Sequence, residues 1–251
     1  GCLMKEQGRY FLKDSIRKKV DFSKTDQYRG VKPPPVQKPC PEDRERIVLP
    51  EPEEPGGTLL REAMAKRVSR RNFSWDPLSM EEMSFLLWAT QGMKEKPDGG
   101  HAKRVVPSAG CRHALETYLA VFRVSGLPKG VYRYLPLEHA LVEVSRPEAV
   151  EALTARAALG QAFAGAGAVT FLWTAIPYRM EWRYGDASYK VIALDAGHVC
   201  QNLYLACEAV SAGACAIAAY DQKLADELVG VDGEEEFVIY MAAVGKVKHA
   251  R

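Results

Sequence analysis

Signatures of metal, nucleophile or nucleotide-loop chemistry are missing from this sequence. The six cysteines, at positions 2, 40, 111, 200, 207 and 215, form no C-x-x-C pair, and no His/Cys array has metal-ligand spacing. A chain of this length does not depend on disulfides, so a reducing cytoplasm is the expected compartment and no metal is expected. G-x-S-x-G, H-E-x-x-H, the P-loop pattern and G-x-G-x-x-G are all absent, which argues against hydrolase, zincin and P-loop readings. No apolar run reaches about 18 residues and the first residues are largely polar, so neither a membrane span nor a signal peptide is expected. The formal net charge is only +2, and the basic stretches lack interleaved aromatics, so neither nucleic acid nor membrane is the expected partner.

What is present is a globular composition, 47% hydrophobic and 26% charged over 251 residues, enough for a sizeable core. Residues 1–57 are charged and rich in proline, with a short basic helix expected near Phe11 to Val20. They read as an extended arm, anchored through Phe11, Leu12, Ile47, Val48 and Leu49 to a folded body spanning 58–251 or to a partner subunit. In that body Leu59, Leu60, Ala63, Met64 and Val68 follow a helical spacing that breaks near Asn72. Ser79 and Glu82 form a capping box for a helix stopped by Gly92. Leu115–Val124, Tyr132–Tyr134, Ala140–Val144, Ala168–Ile176 and Phe237–Val244 read as strands. Pro147–Leu159, Tyr189–Ala212 and Gln222–Val229 read as helices, the second of them buried. Mixed elements without a βαβ repeat indicate an α+β layout.

Three segments concentrate functional residue types. In Arg104–Tyr118, Pro107, Ser108, Ala109 and Gly110 form a tight turn that lets a flat or anionic ligand approach the backbone, beside Cys111, Arg112 and His113. Read alone, it is also consistent with an ordinary surface turn. Lys66-Arg-Val-Ser-Arg-Arg71 brings forked guanidinium donors and a hydroxyl together, suited to phosphate or to a solvated helix end. His198, Gln201 and Asn202, expected inside the long helix, need partners in a core network or on a ligand.

The order and spacing of these pieces resemble the nitroreductase family of FMN-dependent oxidoreductases, and within it the SagB-type dehydrogenases. The marks are Arg67-Val-Ser-Arg-Arg-Asn-Phe-Ser74, Leu87-Trp-Ala-Thr-Gln-Gly92, Val106-Pro-Ser-Ala-Gly110, Arg112-His113, Leu115-Glu-Thr-Tyr118, Gly197-His198 and Gln201-Asn-Leu-Tyr-Leu205. The resemblance implies a nitroreductase-like fold, a central mixed or antiparallel sheet flanked by helices, in an intertwined homodimer. It assigns the FMN ribityl and phosphate to Arg67, Val68 through its backbone, Ser69 and Arg71, with Lys246 and Lys248 closing the phosphate pocket. It lays Pro107, Ser108, Ala109, Gly110 and Cys111 of the other subunit against the isoalloxazine. Ile217, Ala218 and Ala219 would turn backbone amides towards flavin N5 and O4, with Gln201 and Asn202 near the cofactor. Arg112, His113, Arg183 and Tyr184 are the substrate-side candidates, and flavin N5, rather than a side chain, carries the chemistry. The family reading implies hydride transfer from NADH or NADPH through FMN to a small-molecule or peptide acceptor. The SagB-type alternative is oxidation of peptide azolines with oxygen as acceptor, for which Lys190 with Tyr189, or Tyr184, are the Lys–Tyr candidates. An alternative of another class is a non-catalytic flavin-binding or scaffold subunit. The sequence departs from the family pattern at Cys111, where many members place asparagine, and at Ala114, where SagB-type chains often have proline.

Overall fold

Alternating side-chain direction along the strands explains the layering. The computed structural model describes residues 1–52 and 57–248. Its helices are α1 (Cys2–Leu12), α2 (Leu60–Lys66), α3 (Met80–Gln91), α4 (Val150–Ala157), α5 (Tyr178–Tyr184), α6 (Ser188–Ala209) and α7 (Gln222–Val229). Its strands are β1 (Arg46–Val48), β2 (Leu115–Val121), β3 (Gly130–Leu135), β4 (Ala140–Ser145), β5 (Val169–Ala175), β6 (Ala212–Ile217) and β7 (Phe237–Lys246). They form one sheet in the order β1-β4-β3-β2-β5-β7-β6, every neighbouring pair antiparallel. On β2, Leu115, Leu119 and Val121 belong to one core cluster with α3 and α6. Tyr118 and Ala120 belong to a second cluster with residues of α4 and α7. The sheet is therefore the middle of three layers, an α+β fold.

The capping box on α3 is complete: Ser79 Oγ accepts from Glu82 N at 3.1 Å, and Ser79 N donates to Glu82 Oε2 at 3.0 Å. Other boundaries differ from the periodicity reading. The long helix stops at Ala209 rather than Ala212, since Ser211 is left-handed (φ 53°) and Ala212 opens edge strand β6. The first helix of the body ends at Lys66 rather than near Asn72, and only Ala63 of its apolar residues is buried; Leu59, Leu60, Met64 and Val68 are exposed. In the arm, the helix lies earlier than expected, at Cys2–Leu12, and Ser15–Lys19 is a single 3-10 turn.

The arm lies against the body through polar clamps more than through the apolar anchors inferred from sequence. Leu49 is buried and Ile47 packs on the core, but Val48, Phe11 and Leu12 are exposed. Arg133 donates to the carbonyls of Lys38 and Pro39, and Lys38 N donates to Glu116 Oε1 at 2.6 Å. Lys38 Nζ reaches Glu236 Oε2 at 2.5 Å, while Glu116 also pairs with Arg179 of α5 at 2.5 Å. Arg104, buried and with its pKa lowered to about 10 by desolvation, donates to the carbonyl of Val36. Strand β1 of the arm also pairs with β4; the next four residues, 53–56, lie outside the described residues.

Candidate functional site

Past α2 the chain is extended, and residues 67–71 run beside β6. Ser69 bridges Ala214 in parallel, and Arg70 N donates to the Ala214 carbonyl at 2.9 Å. In an extended segment alternate residues share a side, so Arg67, Ser69 and Arg71 line up, which the helical reading of this stretch missed. Tyr204 of α6 organises them. Its hydroxyl lies 3.0 Å from Ser69 Oγ and accepts from Ala216 N at 2.8 Å, and its ring sits 5.3 Å from the Arg67 guanidinium carbon. Arg71 lies over Phe163 at 5.6 Å. Neither Arg67 nor Arg71 is paired with a carboxylate among the described residues. The outward bonds at Ala214 and Ala216 show that the even positions of β6 turn their peptide groups away from β7.

At the other end of α6 a cavity of about 310 Å³ opens between that helix and the ends of β5, β6 and β7. Ala193, Ala196, Ala218, Phe237, Ile239 and Tyr240 are among its walls, so it is apolar and floored by small side chains. Ala193 and Tyr204 are eleven residues apart on one helix, roughly 16 Å along its axis. Ile217 is buried, whereas Ala218 and Ala219 are exposed beyond the end of β6.

The Pro107–Cys111 loop is pinned to α6 by a residue not singled out from sequence as a contact. Asp195, buried, accepts from Ser108 Oγ at 2.6 Å and from Ala109 N at 3.4 Å; burial raises its pKa despite those bonds. Ser108 Oγ also accepts from His113 N at 3.0 Å. Gly110 has φ 58°, and a Cβ there would lie 2.5 Å from Tyr184 Oη and 3.0 Å from Arg183 Nε. Arg183 and Tyr184 thus cover the loop. No residue of this loop lines the cavity at Ala218 within the same chain.

Arg112 and His113 are both buried within the chain. Arg112 is buried, stacked 4.4 Å from the Trp182 ring, with Nε on the Arg179 carbonyl at 3.1 Å. His113 is buried, and burial with Arg104, Arg179 and Arg112 nearby pushes its pKa down to about 3. The long helix is not buried all round. His198 and Gln201 are exposed with Leu194, and Asn202 Nδ2 is committed to the Ala89 carbonyl at 2.7 Å, tying α6 to α3. The Lys246 ammonium turns to Glu82 Oε1 at 2.6 Å and the Val210 carbonyl at 2.5 Å, where it neutralises a helix C-terminus; Lys248 is exposed. Lys190 Nζ donates to the Leu12 carbonyl at 3.1 Å and Tyr189 Oη to Glu181 at 3.0 Å, so these adjacent residues do not pair with each other. Burial pushes the Cys200 thiol up to about 12 and raises Cys207 as well, in keeping with inert core thiols.

The chain belongs to the Nitroreductase family, whose profile matches residues 64–246. It is 30% identical over 204 residues to MJ1384 of Methanocaldococcus jannaschii, named as a nitroreductase by similarity, covering 81% of this chain and 98% of that one. It is 31% identical over 112 residues to the trifolitoxin-processing protein TfxB of Rhizobium leguminosarum bv. trifolii, covering 43% of this chain and 30% of that one. A crystal structure from Ralstonia eutropha, likewise named for a nitroreductase, superposes with a TM-score of 0.68 at 27% identity, over 85% of this chain and 95% of that chain. The NADPH:FMN oxidoreductase of Vibrio harveyi complexed with NAD+ shares the fold, at a TM-score of 0.53 and 16% identity over 76% of this chain and 69% of that chain. No helix among the described residues is long and apolar enough to cross a membrane.

Proposed function

We propose that this chain is an FMN-dependent oxidoreductase, acting as a homodimer, that takes hydride from NADH or NADPH and reduces an organic acceptor. The observation that carries this reading is the spacing on α6. Cations at Arg67 and Arg71 with no carboxylate partner among the described residues, and the Ser69 hydroxyl, stand at one end, and an apolar cavity beside the exposed Ala218 opens at the other. That fits an elongated molecule with an anionic tail and a flat apolar ring. Bound FMN would supply a ring that accepts and returns hydride. Arg67, Ser69 and Arg71 would hold its phosphate; Ser69 and Arg71 are exposed and Arg67 half-buried, which leaves the side chains free to turn onto it. Ala193, Ala196 and Gly197 leave room for a planar ring, and Ala218, just past the end of β6, lines the same space. The apolar walls keep water from that space.

A second copy completes the site. The Pro107–Cys111 loop is held by Asp195 and takes no part in the cavity at Ala218 of its own chain, which leaves it available to a partner's ring. Leu59, Leu60, Met64 and Val68 on one segment and Leu194 on α6 supply exposed apolar surface for the contact. Lys246 is a structural cation on this reading, and Lys248 is the lysine left for the phosphate rim. A second reading, oxidation of an azoline ring in a peptide with oxygen as terminal acceptor, is favoured by the similarity to a toxin-processing protein. In that case Tyr184, over the loop, is better placed than the committed Tyr189 and Lys190.

The purified protein is expected to carry a yellow chromophore released on denaturation as FMN, bleached by NADH or NADPH without oxygen. Arg67→Ala and Ser69→Ala should each weaken FMN binding about tenfold, the scale of one lost charge-assisted hydrogen bond. A protein that takes up no FMN overturns the proposal. A bound flavin untouched by either nicotinamide removes the hydride-from-nicotinamide reading and leaves the azoline oxidase or a non-catalytic flavin-binding subunit.

A further inference from the structure

Helix α1 is amphipathic, with Leu3, Met4, Tyr10 and Phe11 on one side and Lys5, Glu6 and Arg9 on the other. Part of its apolar side faces the start of α6, yet α1 buries none of its residues: Phe11 is 43% and Met4 79% exposed. The reason is a cleft of about 220 Å³ left between the two, walled by Gln7, Tyr10, Phe11 and Ile16 from the arm and by Ala187 and Tyr189 from the body. Lys13 and Lys190 are balanced at its margin by Asp14 and Asp186, so the cleft presents no net charge. Tyr189 belongs equally to the wall of the cavity at Ala218, and its hydroxyl is fixed by Glu181 at 3.0 Å. The two spaces are therefore neighbours divided by one aromatic ring.

The geometry points to the cleft under α1 as a distal subsite for the acceptor, taking an uncharged aliphatic or aromatic group that extends from the reacting end past Tyr189. This rests on the oxidoreductase reading above for the identity of the reacting end. The Tyr189 wall shared with the cavity at Ala218 and a neutral, aromatic-walled interior select such a group over an anion. An apolar extension displaces poorly held water there and closes the gap that α1 leaves open.

The test compares two probes with the same nitroarene and different tails, N-acetyl-4-nitrobenzylamine and N-hexanoyl-4-nitrobenzylamine, by calorimetric binding to the full-length FMN-loaded protein. The hexanoyl probe should bind at least about tenfold more tightly, the discrimination that a few buried methylenes allow. Phe11→Ala and Tyr10→Ala, both on the exposed arm, should erase that preference while leaving the affinity for the acetyl probe unchanged. Equal affinities in the wild type, or a preference that survives both substitutions, overturns the subsite. A shift of Phe11→Ala from dimer to monomer in sedimentation would show that a second copy fills the cleft, and also overturns it. Loss of flavin or of nitro reduction, with the tail preference intact, counts against the oxidoreductase reading instead.

Discussion

Replacing His113 by asparagine should make the protein less sensitive to acid. The imidazole is 4% exposed and hemmed in by Arg104, Arg179 and Arg112, so its pKa falls to about 3 from an ordinary value of 6.5. Above pH 6.5 the ring is neutral in both folded and unfolded chains and costs nothing. As pH falls below 6.5 the unfolded chain takes up a proton that the folded chain refuses until about pH 3. Stability attached to this residue is therefore full above 6.5 and drains away by about 1.4 kcal/mol per pH unit down through that window. At pH 4.5 the loss is on the order of 3 kcal/mol, a large share of the stability of an ordinary domain. Asparagine removes the titration, and it tolerates the left-handed backbone at this position, φ 47°. Urea unfolding followed by tryptophan fluorescence at pH 7 and 4.5 gives the difference for each protein, in which the other carboxylates cancel. The wild type should lose about 3 kcal/mol more than the variant between the two pH values. Equal losses would refute the buried, neutral imidazole.

Tyr204→Phe should strand the Ala216 amide and release Ser69, costing about 1–3 kcal/mol in unfolding experiments and weakening FMN binding in fluorescence titration. Lys246→Met should lower stability by about 1.5–3 kcal/mol through loss of its bonds to Glu82 and Val210, with FMN affinity unchanged; a large affinity loss would return this lysine to the phosphate pocket. Gly110→Ala places a Cβ against Tyr184 at φ 58° and should cost about 1–3 kcal/mol, read as a lowered Tm, and should be partly relieved by the second change Tyr184→Phe. Asp195→Ala should free Ser108 and raise hydrogen exchange at residues 108–113, with the sheet core unaffected.

Much of the fold was legible in local sequence because the signals are local. The capping box at Ser79, the turn at Pro107–Gly110 and the apolar run of β5 each depend on neighbours within a few residues, and each formed where those neighbours put it. The family marks likewise named the cationic segment as a unit. Placement of Arg67, Ser69 and Arg71 on one side depended on whether that segment was helical or extended, which is decided by pairing with β6, about 145 residues away. Edge strand β6 itself, with the sequence Ala-Gly-Ala-Cys-Ala-Ile, carries little strand preference and is recruited by its ladder with β7.

The amino-acid sequence by itself determined which residues could form helices and strands, and which chemical groups the chain carries: guanidinium forks, small side chains and a glycine-hinged loop. Only the tertiary structure decided which of those groups are free. For Arg112, His113, Asn202 and Lys246 it supplies partners within the chain, the Arg179 carbonyl, Ser108 Oγ, the Ala89 carbonyl and Glu82. Tyr204 and Asp195, to which the sequence assigned no contact, become the struts that hold the cationic edge and the loop. The physical reason is that a polar group's availability depends on what long-range packing sets within about 3 Å of it, and periodicity along the chain carries no information about that distance.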